Sequence, residues 1–180
     1  CNKEYQKNRN HDQIIEEYKL ALFKDKDFID NYRLDRIITN LNRNKNLVID
    51  ENKTTSLVEI LKVSKSLEEL SYSFASYGYI NPNQLVTLFN LKASALFNVK
   101  KKYTYLSQLT KEELKNLFLY SYQKVILETA TYEHLPGCSN NCCDAYVDGM
   151  SDCDLDFAIV TGISILGGLA ATIFGTPIAG

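Results

Sequence analysis

The residues best suited to chemistry in this 180-residue sequence are its five cysteines, four of which lie close together near the C-terminal end. Residues 138–153 contain Cys138, Cys142, Cys143 and Cys153, in the spacing C-x3-C-C-x9-C. Outside the cytoplasm, thiols at this density form disulfides. A bond between the neighbours Cys142 and Cys143 would strain the peptide that joins them, so two pairings remain open. In both pairings Cys153 bonds to one neighbour and Cys138 bonds to the other, which predicts two disulfides that staple this segment.

The same segment fits a metal site less well than it fits disulfides. Zinc sites usually present paired C-x2-C knuckles, and two adjacent thiolates fit a single tetrahedron poorly. The acids Asp152, Asp154 and Asp156 have the alternation of a calcium loop. However, Phe157 stands where such a loop needs a glycine, and Ile163 stands where it needs a glutamate. We therefore expect no metal and no other cofactor.

No catalytic constellation is evident in the sequence. It contains only two histidines, His11 and His134, and it has no nucleotide-binding, nucleophile-elbow or metalloprotease motif. Cys138 and His134 form the one conceivable nucleophile pair, but a disulfide explains Cys138 better. We therefore predict a protein that is not an enzyme.

The fifth cysteine, Cys1, stands apart from the others at the head of a polar stretch. Residues 2–11 contain a single apolar side chain, that of Tyr5, which predicts a flexible tether without a core of its own. The sole methionine is Met150, so we expect that a targeting segment preceded Cys1 and was removed. A cysteine in this position ahead of a polar tether resembles the attachment region of mature bacterial lipoproteins.

The resemblance implies both a modification and a location. In that class the thiol takes a diacylglycerol and the amine takes a further acyl chain such as palmitate, and each buried methylene contributes about 0.8 kcal/mol of membrane binding. The pair Lys3-Glu4 is similar to the basic-then-acidic signal that sends some Bacteroidota lipoproteins to the cell surface. We expect a lipid anchor on Cys1 at the outer membrane or cell surface, not in the cytoplasm. The alternative is that Cys1 is a proteolytic start.

The C-terminal segment 157–180 contains no charged side chain. A bilayer-spanning helix needs about 20 apolar residues, and the stretch that ends before Pro177 meets that length. Gly167, Ala171 and Gly175 recur every four residues, which predicts a stripe of small side chains where another helix can approach closely. Three alternatives remain: the segment enters a membrane, inserts into a partner protein or forms a buried core helix. Because glycine costs about 1 kcal/mol in a soluble helix, membrane or partner insertion is the favoured interpretation.

Charge is unevenly distributed, although the net charge is only −2. Residues 1–124 hold all 20 lysines and arginines against 15 acids, whereas residues 125–180 hold seven acids and no base. The longest basic run, Lys100-Lys101-Lys102, is too short to follow a phosphate backbone. We therefore expect no nucleic acid among the partners.

Helical periodicity and helix-end signals occupy most of the chain from residue 12 to about residue 130. Apolar residues recur at spacings of three and four, which is typical of helices with one buried face. Proline at a first helical position and a threonine–glutamate capping box mark two of the starts, and a glycine marks one of the ends. The predicted segments are residues 12–22, 28–41 and 54–78. A fourth helix begins at Pro82, directly after Asn81. A fifth begins after Thr110, and Glu113 completes its capping box.

The apolar faces of these helices predict which side chains enter the core. The face of the second helix consists of Ile29, Tyr32, Leu34, Ile37, Ile38 and Leu41. That of the fourth consists of Leu85, Leu88, Phe89, Leu91, Ala95 and Leu96, and that of the fifth of Leu114, Leu117, Phe118, Ser121, Tyr122 and Val125.

Taken together, the patterns predict an all-α fold: an irregular helical bundle with a disulfide-stapled loop and a C-terminal apolar helix. The composition changes at Leu135-Pro136-Gly137 and again after Asp156. We divide the chain into a lipid-proximal tether (1–11), a helical domain (12–134), a Cys/Asp-rich disulfide segment (135–156) and an apolar, Gly/Ala-striped tail (157–180).

Two functional hypotheses follow from these features. The first is a lipid-anchored cell-envelope protein that acts as a binding or accessory subunit of an outer-membrane or surface complex, with membrane lipid and an envelope protein as partners. The second is a secreted, membrane-active protein of the toxin or bacteriocin kind, whose apolar tail inserts into a target bilayer. Membrane features at both ends of the chain, Cys1 and residues 157–180, favour the first hypothesis.

Overall fold

The computed structural model describes residues 10–43, 51–79, 81–132 and 152–169, and these residues form helices and short connections without a strand. The predicted all-α class is therefore confirmed for the described part of the chain. The α-helices are α1 (His11–Leu22), α2 (Lys26–Arg43), α3 (Glu51–Val63), α4 (Leu67–Ser76), α5 (Pro82–Lys102), α6 (Lys111–Tyr132) and α7 (Asp152–Ser164). A short 3-10 helix (Thr104–Gln108) lies between α5 and α6, and a π-helical turn (Ile165–Leu169) continues α7.

α2 and α5 form the most extensive helix pair, and the other helices are arranged around them. α4 packs on α5, α1 packs on α6, and α7 lies against α3, α6 and α5. Aromatic rings fill the centre of the core. The ring centroid of Phe28 lies 5.2 Å from that of Phe118 and 5.1 Å from that of Tyr122, which are favourable separations for aromatic pairs.

Several of the predicted helix ends are confirmed. Pro82 occupies the first turn of α5, and Gly78 adopts a φ of 85° just after α4, a conformation that glycine accepts without strain. At the start of α6, the Glu113 N–H donates to Thr110 Oγ1, and the Thr110 N–H donates to Glu113 Oε2, which is the predicted capping box.

The predicted helix over residues 54–78 is instead two helices, α3 and α4. Ser66 causes the break because its Oγ accepts a hydrogen bond from the Glu69 N–H, and Glu69 Oε2 accepts one from the Lys65 N–H. These contacts cap the start of α4 and replace the backbone bonds that a continuous helix would have made. Leu70 and Phe74 remain buried, so the apolar spacing alone did not reveal the interruption.

The first part of the predicted apolar tail is buried within the helical domain. α7 begins at Asp152, ahead of the predicted boundary after residue 156. Of the three alternatives for this segment, the buried core helix describes residues 157–166, and the favoured insertion into a membrane or partner does not. Residues 170–180 lie outside the described residues. The buried side chains are Phe157, Ala158, Ile159, Thr161, Ile165 and Leu166. Over the ranges that the structure describes, no helix has both the length and the apolarity needed to cross a bilayer.

Gly162 lies on the side of α7 that faces the core. A Cβ atom added there would lie 3.5 Å from Cε2 of Phe118 and 3.8 Å from Nζ of Lys92, which are ordinary van der Waals separations. The packing therefore leaves room for a methyl group at this position.

His11, the first residue of α1, connects α1 to the start of α6 through a partly exposed contact. Its Nδ1 lies 2.8 Å from the Tyr105 hydroxyl, and its Nε2 lies 2.6 Å from Glu113 Oε1. Hydrogen bonds from the Thr110 N–H, the His11 ring and the Thr110 hydroxyl lower the pKa of Glu113 to about 2. One carboxylate thus both caps α6 and holds the first residue of α1.

The depressed pKa of Glu113 makes folding sensitive to acid. Because the pKa is lower in the folded chain than its ordinary value of 4.5, the contribution to stability is present above that value and is lost as pH falls toward about 2. We expect Glu113→Gln to flatten the dependence of unfolding free energy on pH in this window, measured by urea titration. Glu112→Gln is the matched control, and an equally flattened profile there would contradict the assignment.

The position of Phe157 in the core predicts its contribution to stability. Phe157 is 1 % exposed, so Phe157→Ala should lower the free energy of unfolding by about 3–5 kcal/mol, the usual cost of deleting a buried aromatic ring. Leu91→Ala on α5, where the side chain is half exposed, should cost less than about 1 kcal/mol. Urea-unfolding curves of the two variants test this difference, and equal losses would show that α7 is not part of the folded core.

Candidate functional site: a buried charge cluster and a lysine-rimmed groove

An ion pair without solvent exposure joins the two central helices. Lys92 of α5 donates from Nζ to Oδ1 of Asp35 on α2 at 2.5 Å, and both residues are 0 % exposed. The same ammonium lies 3.4 Å from the carbonyl oxygen of Ala158 on α7. The pair therefore touches three helices that are distant in sequence.

Two further buried side chains complete this charge cluster. The Tyr122 hydroxyl on α6 donates to Oδ2 of Asp35 at 2.8 Å, and Asn31 Nδ2 donates to the same hydroxyl at 2.5 Å. Both carboxylate oxygens of Asp35 are thus satisfied. Within the described part of the chain, Asn31 Oδ1 and the neighbouring Ser121 Oγ have no hydrogen-bond partner. We name Asn31, Asp35, Lys92 and Tyr122 the buried charge cluster.

Burial and mutual attraction act in opposite directions on these groups. Burial raises the pKa of Asp35 and lowers the pKa of Lys92, because a low-dielectric interior disfavours both charged forms. The attraction between the two charges and their hydrogen bond offset part of each shift. Burial also raises the pKa of Tyr122 well above its ordinary value, so its hydroxyl keeps the proton that it donates to Asp35.

The buried charge cluster is placed to organise the helices and does not reach a substrate. All four of its residues are 0 % exposed, so no solute can touch them in this conformation. A buried ion pair of this kind favours one helix arrangement, because any other arrangement would leave a charge without its partner.

The sequence pattern of α2 contained a signal for this cluster that hydrophobicity alone did not detect. The buried positions are Phe28, Asn31, Tyr32, Asp35, Ile38 and Thr39, which keep the spacing of three and four. Three polar residues, Asn31, Asp35 and Thr39, therefore stand in register with the core. Ile37, which was predicted on the apolar face, is 46 % exposed, so that assignment was wrong.

α5 shows the same pattern around Lys92. The buried series runs through Leu85, Leu88, Phe89, Lys92, Ala95, Leu96 and Val99, whereas Leu91, predicted on the buried face, is 50 % exposed. Lys92 and Asp35 carry opposite charges, and each occupies a buried position in the apolar spacing of its helix. These positions are the signal from which the ion pair could have been predicted.

A second feature, an open groove, lies between α3, α6 and α7. Its volume is about 450 Å³, within the range of small-molecule sites. Apolar side chains of Val58, Val160 and Ile163 line it, together with the small residues Ser164 and Gly167. The charged side chains along it are those of Lys62, Lys111, Glu112 and Lys115.

The groove continues along the π-helical turn into a second depression of about 320 Å³. The two depressions share three lining residues, Lys111, Ile163 and Gly167. Beyond them, the second is lined by Lys100, Leu106, Ser107, Leu109, Leu114 and Leu166. We name the two together the lysine-rimmed groove.

The lysines of the lysine-rimmed groove differ in how they are paired. Lys62 Nζ lies 2.7 Å from Glu59, and Lys115 Nζ lies 3.0 Å from Asp156, whose charge and hydrogen bond raise the pKa of Lys115. Lys100 donates to the carbonyl oxygen of Leu166 at 2.9 Å. Lys111 makes no ion pair with any described carboxylate.

The residues predicted to form sites lie mostly beyond the described ranges. Cys1, Cys138, Cys142 and Cys143 lie outside them, and Cys153 falls in the first turn of α7, where the structure describes the backbone only. Lipidation and the disulfides therefore stay predictions.

The stripe of small residues is described at one position only. Gly167 is exposed in the π-helical turn and lines both depressions, and a Cβ atom there would meet nothing within 4 Å. Ala171 and Gly175 lie outside the described residues. The structure thus places one predicted stripe residue on the lysine-rimmed groove, and it does not test the stripe itself.

No protein-family model, no curated protein and no solved structure matches this chain. Function has to be argued from the residues and their geometry.

The ion pair predicts that substitutions of Asp35 and Lys92 have non-additive effects on the free energy of unfolding. Lys92→Met alone should lower the free energy of unfolding by about 3–5 kcal/mol, because it leaves the aspartate buried without its cation. The double variant Asp35→Asn, Lys92→Met should be markedly less unstable than the sum of the two single variants. Lys62→Met, which removes an exposed pair, should cost less than about 1 kcal/mol. Additive losses in urea unfolding would contradict the coupling.

Proposed function

We propose that this protein is a lipid-anchored, non-enzymatic binding or accessory subunit of the bacterial cell envelope, held at the membrane through Cys1. In this proposal the helical domain presents the lysine-rimmed groove to an envelope partner or to the membrane itself. The four remaining cysteines form two disulfides, as expected in an oxidising compartment.

The position of the lysine-rimmed groove relative to the N-terminal residues is the observation that carries this function. Lys111, the first residue of α6, lines both depressions. Glu113, in the same turn of α6, holds His11, from which the chain leads back to Cys1. The ten Cα–Cα steps from Cys1 to His11 can span at most about 35 Å when extended. A bilayer that holds Cys1 therefore lies within about 35 Å of His11, which contacts the same end of α6 that carries Lys111.

The chemistry of the two candidate sites supports binding over catalysis. Asp35, Lys92 and Tyr122, whose pKa values are shifted by burial, belong to the buried charge cluster, which has no access to solvent. The lysine-rimmed groove offers apolar surface and ammonium groups, which suit recognition of an amphiphilic or acidic partner.

The alternative of a membrane-active toxin requires more rearrangement. Insertion of residues 157–180 into a bilayer would first have to withdraw α7 from its contacts with α3, α5 and α6. It would also leave Lys92 without the Ala158 carbonyl and would expose the core side chains that α7 covers. For this reason the accessory subunit is the function that we propose.

Lipidation and disulfide formation can be tested together on the protein isolated from its native source. Intact mass spectrometry should show acyl chains on Cys1 and a mass about 4 Da below that of the fully reduced chain, as two disulfides require. After expression of the natural gene, Cys1→Ser should move the protein from the membrane fraction to the aqueous fraction. Cys153→Ser is the control that should leave fractionation unchanged. An unmodified, fully reduced wild-type chain in the aqueous fraction would disprove the proposed function.

A further inference from the structure

The lysine-rimmed groove has the volume and lining of a site for one apolar chain. Its two depressions, of about 450 and 320 Å³, follow α7 and the π-helical turn in succession. The floor consists of aliphatic side chains from four elements, among them Val58 of α3, Ile163 of α7 and Leu114 of α6. Methylene groups laid along such a floor leave water at little cost in polar contacts.

The polar groups of the groove are mostly cationic. Four lysines line it, and the carboxylates near them are Glu112 in the lining, Glu59 paired with Lys62 and Asp156 paired with Lys115. Lys111 stands at the junction of the two depressions and has no carboxylate partner among the described residues. An anionic group placed there would gain an attraction that no described carboxylate supplies.

The lining also discriminates between kinds of partner. A peptide needs alternating donors and acceptors for its backbone, whereas the groove offers ammonium groups, two serine hydroxyls and one carboxylate. An acyl chain has no such requirement, because only its head group is polar. The lining therefore favours a lipid over a protein segment.

We propose that the lysine-rimmed groove binds a single acyl chain that ends in an anionic head group, with the anion at Lys111 and the chain along Val58, Val160 and Ile163. This assignment names the ligand of the groove used in the proposed function, and it rests on that function for its membrane source. A free fatty acid and an anionic lysophospholipid share the required chemistry.

The binding experiment uses the full-length chain carrying Cys1→Ser, so that no acyl chain of its own competes. Calorimetry below the critical micelle concentration with saturated fatty acids of 10 to 14 carbons should show Kd falling by about twofold to fourfold for each added methylene. Decyltrimethylammonium, which carries the opposite charge, should not bind measurably. Absence of binding, or equal Kd values along the chain-length series, overturns the assignment.

Two substitutions locate the site. Lys111→Gln should weaken myristate binding by about tenfold at low salt, as expected for a lost hydrogen bond to a charged group. Lys101→Gln, an exposed lysine of α5 that is not part of the lining, is the matched control and should change nothing. Equal effects of the two substitutions would mean that binding is nonspecific.

Gly167→Phe blocks the groove without disturbing the fold. A Cβ atom at Gly167 meets no neighbour within 4 Å, so Tm should stay unchanged. Myristate binding should weaken by more than about tenfold, because the ring takes the volume of several methylenes. Undiminished binding would place the ligand elsewhere and overturn the proposal.

Parallel titrations with myristate and with 1-myristoyl lysophosphatidylglycerol separate the two sources of ligand. Tighter binding of myristate identifies a free fatty acid, and tighter binding of the lysolipid identifies a membrane lipid; either order supports the site. The proposed function can fail separately from this inference. A chain that is unmodified at Cys1 yet binds myristate disproves the anchor alone, whereas an acylated chain that binds no lipid disproves the groove assignment alone.

Discussion

The contact between Asp35 and Lys92 constrains how the described helices pack. Two charges removed from water are stable only when each finds its partner and the remaining hydrogen-bonding atoms are satisfied. Here the partners come from four helices: the carboxylate from α2, the ammonium from α5, a hydroxyl from α6 and a carbonyl from α7. A shift of α2 or α5 by a turn would leave a charge unpaired in the core, and a shift of α6 or α7 would remove one of the hydrogen bonds to the pair.

The lysine-rimmed groove depends on that constraint because α7 contributes to both. One side of α7 and its π-helical turn, with Ala158, Gly162 and Ile165, faces the core. The opposite side, with Val160, Ile163 and Gly167, lines the groove. The position of the groove floor is therefore set from beneath by the core contacts of α7, among them the Lys92 contact with Ala158. The described part of the predicted apolar tail thus forms a wall between the core and the open groove.

Local signals were readable from the sequence, and distant ones were not. Pro82, Gly78 and the capping box of Thr110 and Glu113 act within a few residues of the chain, so the all-α class and several helix ends could be predicted. The interruption at Ser66 was missed because the spacing of Leu70 and Phe74 continues across it. The buried charge cluster was missed for a different reason: its two charges lie 57 residues apart, and each looks like an ordinary surface residue when helices are read by hydrophobicity. The groove is assembled from four helices, the 3-10 segment and the π-helical turn, and no single stretch of sequence contains it.

The attachment of α1 through His11 has a mechanical consequence. Any tension on the residues ahead of α1 enters the body at the His11–Glu113 contact, and α1 itself contributes only one fully buried side chain, Leu22. The buried charge cluster lies off this line of force, between α2, α5, α6 and α7. A pulling load would therefore peel α1 from α6 first. Unwinding the 12 residues of α1 would lengthen the chain ahead of α2 by about 20 Å, while the remaining bundle kept its shape.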